Sequence, residues 1–302
     1  MRVTNNMIHR GLTGNIQSAM KRMNKNYNRL STGKMISRPS DDPVGMIIGM
    51  RLKDGIAAGE RYHKNAETAR ALLNSADYAL DGVTSVLHRL TELATKAANG
   101  TMDQTALEAV KNEVLSMRNH LYQIANTQHE NTFIFAGQRT NQPAYSLVAA
   151  ADPDDPEEVQ WDGSDEPLVA EVGTGIRMEV SVPGHRVFGD PSHDFFAELT
   201  EFIEHLENGD FQAISDTVLP AIHNRLNEVL KVRGEIGAKV NRLESNIARM
   251  EIMNVNFREL LSKTEDVDYA EVTMNLMMQE SVYQAALAVG ARISQNTLVN
   301  YL

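Results

Sequence analysis

The fold class predicted for this 302-residue sequence is mainly α with an inserted β-rich domain, built on long antiparallel helical rods from both termini. Three observations predict it. Apolar residues recur at steps of three and four through both ends of the chain, the period shifts towards two in the middle, and charge segregates along the same divisions. Residues 1–150 carry 18 bases and 12 acids, residues 151–210 carry 2 and 17, and residues 211–302 carry 9 and 11.

The first helix follows from Leu12, Ile16, Ala19, Met23, Asn26 and Leu30, whose 4-3-4-3-4 steps place them on one stripe. It stops in LSTGKMISRPSDDPVGM, Leu30 to Met46, where two glycines, two prolines and an Asp-Asp pair interrupt the rhythm. Ser31 to Ser40 supply the turn. Asp42-Pro43 then reads as an N-cap with proline at the first helical position. From there one helix is expected as far as about Ala98, since Ala69, Leu73, Ala76, Leu80, Val83, Leu87, Leu90, Ala94 and Ala97 alternate fours and threes. Asn99-Gly100 ends it. Leu107, Val110, Val114, Met117, Leu121 and Ile124 mark a third helix.

Near Asn131 the pattern changes. QWDGSDEPL and EVGTGIRMEV read as hairpin strands and turns, in a small acidic β-rich region. Leu226, Val229, Arg233, Ile236, Val240, Leu243, Ile247, Met250, Asn254, Phe257 and Leu261 restore the helical rhythm, and SKTEDVD breaks it before a last helix from about Tyr269. Five segments result: an N-terminal helix and joint at 1–42, rod helices at 43–130, the β-rich region at 131–194, returning rod helices at 195–262, and a C-terminal helix at 263–302. The first 40 residues hold eight bases and no acid, and the last 40 hold two bases and five acids. That complementarity favours side-by-side packing of the two ends, within one chain or between subunits. The final stripe is rich in Ala, Gly, Asn and Gln, so ends that order only on association are expected.

Composition excludes several function classes. With no cysteine there is neither a disulfide framework nor thiol chemistry. No run approaches 18 apolar residues, so no membrane span or membrane partner is expected. MRVTNNMIHRGLTGN lacks the apolar core of a cleaved signal peptide, which reads as cytosolic unless export takes another route. The nine histidines form no H-E-x-x-H, and no metal is expected; His120 and His129 lie nine apart with few carboxylates nearby. Asp152 to Glu158 lacks the order of a calcium loop, and Gly173-Thr174-Gly175 lacks a phosphate loop's third glycine. Arg10, Lys21, Arg22, Lys25 and Arg29 form a basic face with one aromatic, Tyr27, so no nucleic acid is expected. No catalytic constellation stands out, so the chain reads as a non-enzyme without cofactors. Met274, Met277 and Met278, in VTMNLMMQE, suit a partner surface better than a core.

NRLSTGKMISRPSDDPVGMIIGMRLK, Asn28 to Lys53, resembles the N-terminal signature of bacterial flagellins and their relatives. DVDYAEVTMNLMMQESVYQAALAVGARISQNTLVNYL, Asp266 to Leu302, is similar to the flagellin-type C-terminus. Within that superfamily, NTFIFAGQR (Asn131 to Arg139) and the insert from Val159 to Asp190 resemble the hook-associated protein 3 family, the hook–filament junction proteins. His185 departs from the expected Asp or Asn in VPGHRVFG.

The resemblance implies a structural adaptor of the flagellum, exported unfolded through the flagellar type III pathway and acting outside the cell. Its implied partners are further copies of itself, a hook-side junction protein, flagellin, and a cytosolic export chaperone on the C-terminal helices. It implies a flagellin-like coiled-coil core, with terminal helices as an inner tube and the β domain outermost. The residues expected to pack or assemble are Leu12, Ile16, Ala19, Met23, Leu30, Asp41, Asp42, Met274, Met277, Met278, Tyr283, Ile293 and Leu298. Two alternatives are a short flagellin forming the filament itself and, from another class, a cytosolic helical signalling protein.

Overall fold

The structure, a computed structural model, describes residues 5–100, 102–148, 157–189 and 194–295. They divide into two compact units, residues 1–58 with 253–302, and residues 59–252. The division falls inside helices, not at the sequence breaks, because both helices that cross it are continuous there.

Helix α1 covers Asn5–Thr32 and α2 covers Pro43–Ala98. Helix α2 is 56 residues long, about 84 Å at 1.5 Å per residue. In the second unit every α2 stripe residue from Ala69 to Ala97 named above is buried. Asp103 accepts from the Ala106 N–H and so caps α3, Gln104–Ala125, whose Leu107, Val110, Val114, Leu121 and Ile124 are buried. Arg89 Nε reaches Glu113 at 2.6 Å, tying α2 to α3.

Among the described residues the central region holds three separate two-stranded ladders, with strands of two to five residues. Strands β1 (Gln128–His129) and β2 (Thr132–Phe133) turn at Glu130 and Asn131, both left-handed, with φ of 46° and 68°. Strand β3 (Tyr145–Val148) pairs with β4 (Glu158–Trp161), with Tyr145 opposite Trp161. QWDGSDEPL is therefore not a hairpin, since its strand pairs backwards with β3 and its Asp-Gly turn leads into another ladder. EVGTGIRMEV is one, from β5 (Val169–Gly173) and β6 (Ile176–Glu179), turning at Gly175 with φ of 70°.

Rings hold this region together. Tyr145 meets Trp161, Phe188 and Phe196 at centroid distances of 5.0 to 5.5 Å, and Phe188 meets Phe135 edge-on at 5.8 Å. Phe188 ends the short helix α4, His185–Phe188. Gly137, in NTFIFAGQR, has φ of 63°, and a Cβ there would lie 2.0 Å from the Ser164 carbonyl oxygen. Only glycine fits that turn. Asp194 caps α5, Phe195–Asn208, by accepting from the Phe196 N–H, and burial pushes its carboxyl up to about 6. Helix α5 packs on α3, and Gly209 in the left-handed region ends it.

Helix α6 (Phe211–Ala213) runs through a π turn at Ile214–Val218 into α7, Leu219–Glu265. Val229, Ile236, Leu243, Ile247 and Met250 of α7 join the core, and Arg233 pairs with Asp77 at 3.0 Å and Asp81 at 2.9 Å. SKTE proves helical, so the break shrinks to residues 266–268 before α8, Tyr269–Gln295. No helix among the described residues is long and apolar enough to cross a membrane.

Candidate assembly surface

The first unit is built from α1, α8 and the adjoining ends of α2 and α7. Gly33 ends α1 with φ of 68°, and a Cβ there would stand 2.8 Å from the Tyr269 hydroxyl. The chain then pairs briefly with the α7–α8 break. Met35 N–H donates to the Glu265 carbonyl at 2.7 Å, and Val267 N–H donates to the Gly33 carbonyl at 3.1 Å. Lys34 and Asp266 are thus opposed as an antiparallel bridge, and their side chains meet at 2.7 Å. That bond raises the Lys34 ammonium and lowers the Asp266 carboxyl from their ordinary values.

Glu265 is the buried charge of this joint, with 3% of its side chain exposed. Lys53 Nζ lies 2.6 Å from one of its oxygens and Lys34 Nζ 3.5 Å from the other. Gly49 makes room for it, since a Cβ there would come within 2.4 Å of Oε1. Asp42 Oδ1 accepts from the N–H groups of Val44 and Gly45, both at 3.0 Å, restarting the helix as α2. Asp41 instead pairs with Lys25 at 2.8 Å, which lowers its carboxyl. Asp268 Oδ1 caps α8 through the N–H groups of Ala270 and Glu271. The turn-rich interval of the sequence is a two-sided joint, each helix restarted by an aspartate.

Helices α1 and α8 pack on each other within the chain. Among the buried and half-buried positions of α8, Val272, Leu276, Gln279, Tyr283, Ala286 and Gly290 follow steps of 4-3-4-3-4, with Thr273, Asn275 and Glu280 half-buried beside them. On α1, Ala19 and Asn26 are buried, while Leu12, Ile16, Met23 and Leu30 are half-buried. Polar groups set the register: Asn26 donates to Gln279 at 3.3 Å, and Tyr27 to Glu280 at 2.7 Å. Gly290 admits Leu12, whose Cδ2 would sit 2.9 Å from any added Cβ.

The thirteen positions expected to pack or assemble therefore separate. Leu12, Ile16, Ala19, Met23, Leu30 and Tyr283 lie on the stripes of this seam, and Asp41 and Asp42 belong to the joint. Met274, Met277 and Met278 lie off the seam stripe and are 65%, 63% and 57% exposed. Ile293 has its place in α8, and Leu298 lies outside the described residues. Sequence reasoning missed Glu265, Lys53 and Gly290. A signal for the first two was available in Gly49 and Lys53, one helical turn apart, but an acidic partner 212 residues away carries no periodic mark.

His129 Nδ1 lies 2.8 Å from the Ser75 hydroxyl, and the described residues bring no three metal-ligating groups together. Residues 152–156 of the acidic run lie outside the described residues.

The family model for the bacterial flagellin N-terminal helical region matches residues 3–140, and that for the C-terminal helical region matches residues 219–302. The chain belongs to the bacterial flagellin family. Like other members it is a structural, flagellar protein. It is 25% identical to flagellar hook-associated protein 3 of Escherichia coli K12 over 95% of each chain. It is also 26% identical to the flagellin of Bacillus subtilis 168 over 99% of each chain. The solved structure of flagellar hook-associated protein 3 from Legionella pneumophila aligns with a TM-score of 0.61 at 15% identity, covering 71% of this chain and 97% of that one. The flagellin-like fold with long terminal helices and a small central β region is thereby shown.

Proposed function

We propose that this chain is the structural adaptor of the hook–filament junction, polymerising there to connect the hook side to the first flagellin subunits. The observation that carries this reading is the match to hook-associated protein 3, in sequence over 95% of this chain and in fold over 71% of it. In this reading residues 1–42 and 263–302 assemble as the inner tube. The seam of Leu12, Ile16, Ala19, Met23, Leu30 and Tyr283 pairs the chain's own terminal helices, and the exposed face of Met274, Met277 and Met278 meets neighbours. Its partners are other copies of itself, the hook-side junction protein, flagellin, and a cytosolic export chaperone holding the C-terminal helices. It reaches the cell exterior through the flagellar type III pathway, and it performs no catalysis.

Deleting the gene should leave hooks present, filaments absent and flagellin shed into the medium. Filaments that stay attached overturn the reading. A second reading, a short flagellin, is favoured by the full-length match to the Bacillus subtilis flagellin, so chain length does not separate the two. Electron microscopy of seeded assembly does: a junction adaptor stops after a short layer, and a flagellin grows a long filament.

A further inference from the structure

The methionines of this protein are unevenly placed. Eleven of the fifteen fall in residues 1–58 and 253–302, which make up 108 of the 302 residues. The exposed large hydrophobic side chains include eight methionines, namely Met7, Met20, Met35, Met50, Met253, Met274, Met277 and Met278, and all eight lie in that unit. In the other unit Met178 and Met250 are buried in the core, and Met102 and Met117 are partly buried. On α8, Met274, Met277 and Met278 stand three and four residues apart, so their thioethers share one face of a single turn. The chain has no cysteine to intercept an oxidant first.

We propose that this methionine face is a reversible oxidation site that decides whether an unassembled subunit can join the flagellum. The reactant is a peroxide. Its O–O bond breaks, one oxygen is transferred to the thioether sulfur, and the other leaves as water with both hydrogens. The sulfur loses two electrons and becomes a sulfoxide. An apolar, adaptable side chain thereby becomes polar and chiral. The buried methionines of the second unit are shielded, so that core survives while the assembling surface is switched off. Reduction by a methionine sulfoxide reductase, two thiols giving a disulfide and water, restores the thioether. The effect on assembly rests on the reading of this chain as a junction adaptor.

The test uses the purified full-length chain treated with hydrogen peroxide. Peptide mass mapping should find sulfoxide at Met274, Met277 and Met278 forming about tenfold faster than at Met178 and Met250. Seating on isolated hooks that carry the hook-side junction protein, counted by electron microscopy, should fall at least about fivefold and recover after reductase treatment. The triple variant Met274→Leu, Met277→Leu, Met278→Leu keeps the face apolar without a thioether, so peroxide should change its seating by less than about twofold relative to its own untreated level. Circular dichroism checks that it and the oxidised chain stay helical. Equal seating of oxidised and untreated wild type overturns the inference alone, as does equal peroxide sensitivity of wild type and the triple variant. Failure of untreated protein to seat overturns the adaptor reading and the inference with it.

Discussion

The two compact units use the same heptad spacing to different ends. In the second unit the α2 stripe sets Leu73, Leu80, Val83, Leu87 and Leu90 among alanines, and its four leucines are wholly enclosed. In the first, Ala19, Asn26, Gln279, Ala286 and Gly290 share the seam between α1 and α8 with buried Val272 and Leu276 and half-buried Leu12, Ile16, Met23 and Leu30, while Met274, Met277 and Met278 off the seam are exposed. Burying a leucine is worth about 1.5–3 kcal/mol, and an alanine or asparagine in its place supplies little of that. The second unit is equipped to hold itself together. The first keeps apolar surface in reserve, which a subunit that assembles with others can use.

Truncating one leucine in each unit tests that contrast most sharply. Leu80→Ala should cost about 2–5 kcal/mol, read as a lower midpoint in denaturant unfolding. Leu12→Ala, half-buried against Gly290, should cost less than about 1 kcal/mol and show instead as faster hydrogen exchange in α1 and α8. Equal costs would erase the distinction between a core and a seam.

The joint comes next in expected size. Glu265→Gln removes the buried carboxylate between Lys34 and Lys53. Both lysines are well exposed, so the loss should be about 1 kcal/mol, discounted for solvent screening. A double-mutant cycle with Lys53→Met isolates the pair. No coupling there would mean the joint is held by its backbone bonds alone.

The smallest effect belongs to pH. Asp194 has its carboxyl raised from 3.8 to about 6 by burial. A raised folded value means its stabilising contribution is complete below about 4 and lost as pH rises through about 6. Asp194→Asn keeps an N-cap and removes the titration. Thermal unfolding of the variant should gain on wild type between pH 4 and pH 7, by about 1 kcal/mol after screening by solvent. A constant difference across that range would assign Asp194 a capping role only.

Much of the architecture was legible in residue order. Helix α2 ends at Ala98 as Asn99-Gly100 predicts, and Asp42-Pro43 restarts the chain where the cap rule places it. The Gly173-to-Ile176 turn is a hairpin turn for the same local reason, since glycine at φ of 70° is a one-residue property. Strand pairing was not legible. β4 has a turn signal after it, yet it pairs with β3 before it, because ladder partners are selected by ring packing at Tyr145 and Trp161. The assembly positions were half legible: periodicity found the α1 stripe but could not say that α8 of the same chain covers it.

The sequence by itself determined the helices, their caps and breaks, the acidic β-rich interval and the family. Those depend on neighbours within a few residues, where backbone geometry and the 3.6-residue period act directly. Only the tertiary structure decided the pairing of α1 with α8, the enclosure of Glu265 by Lys34 and Lys53, and which methionines stay in water. Those contacts join residues more than 200 positions apart, and their free energy exists only once both segments are folded against each other.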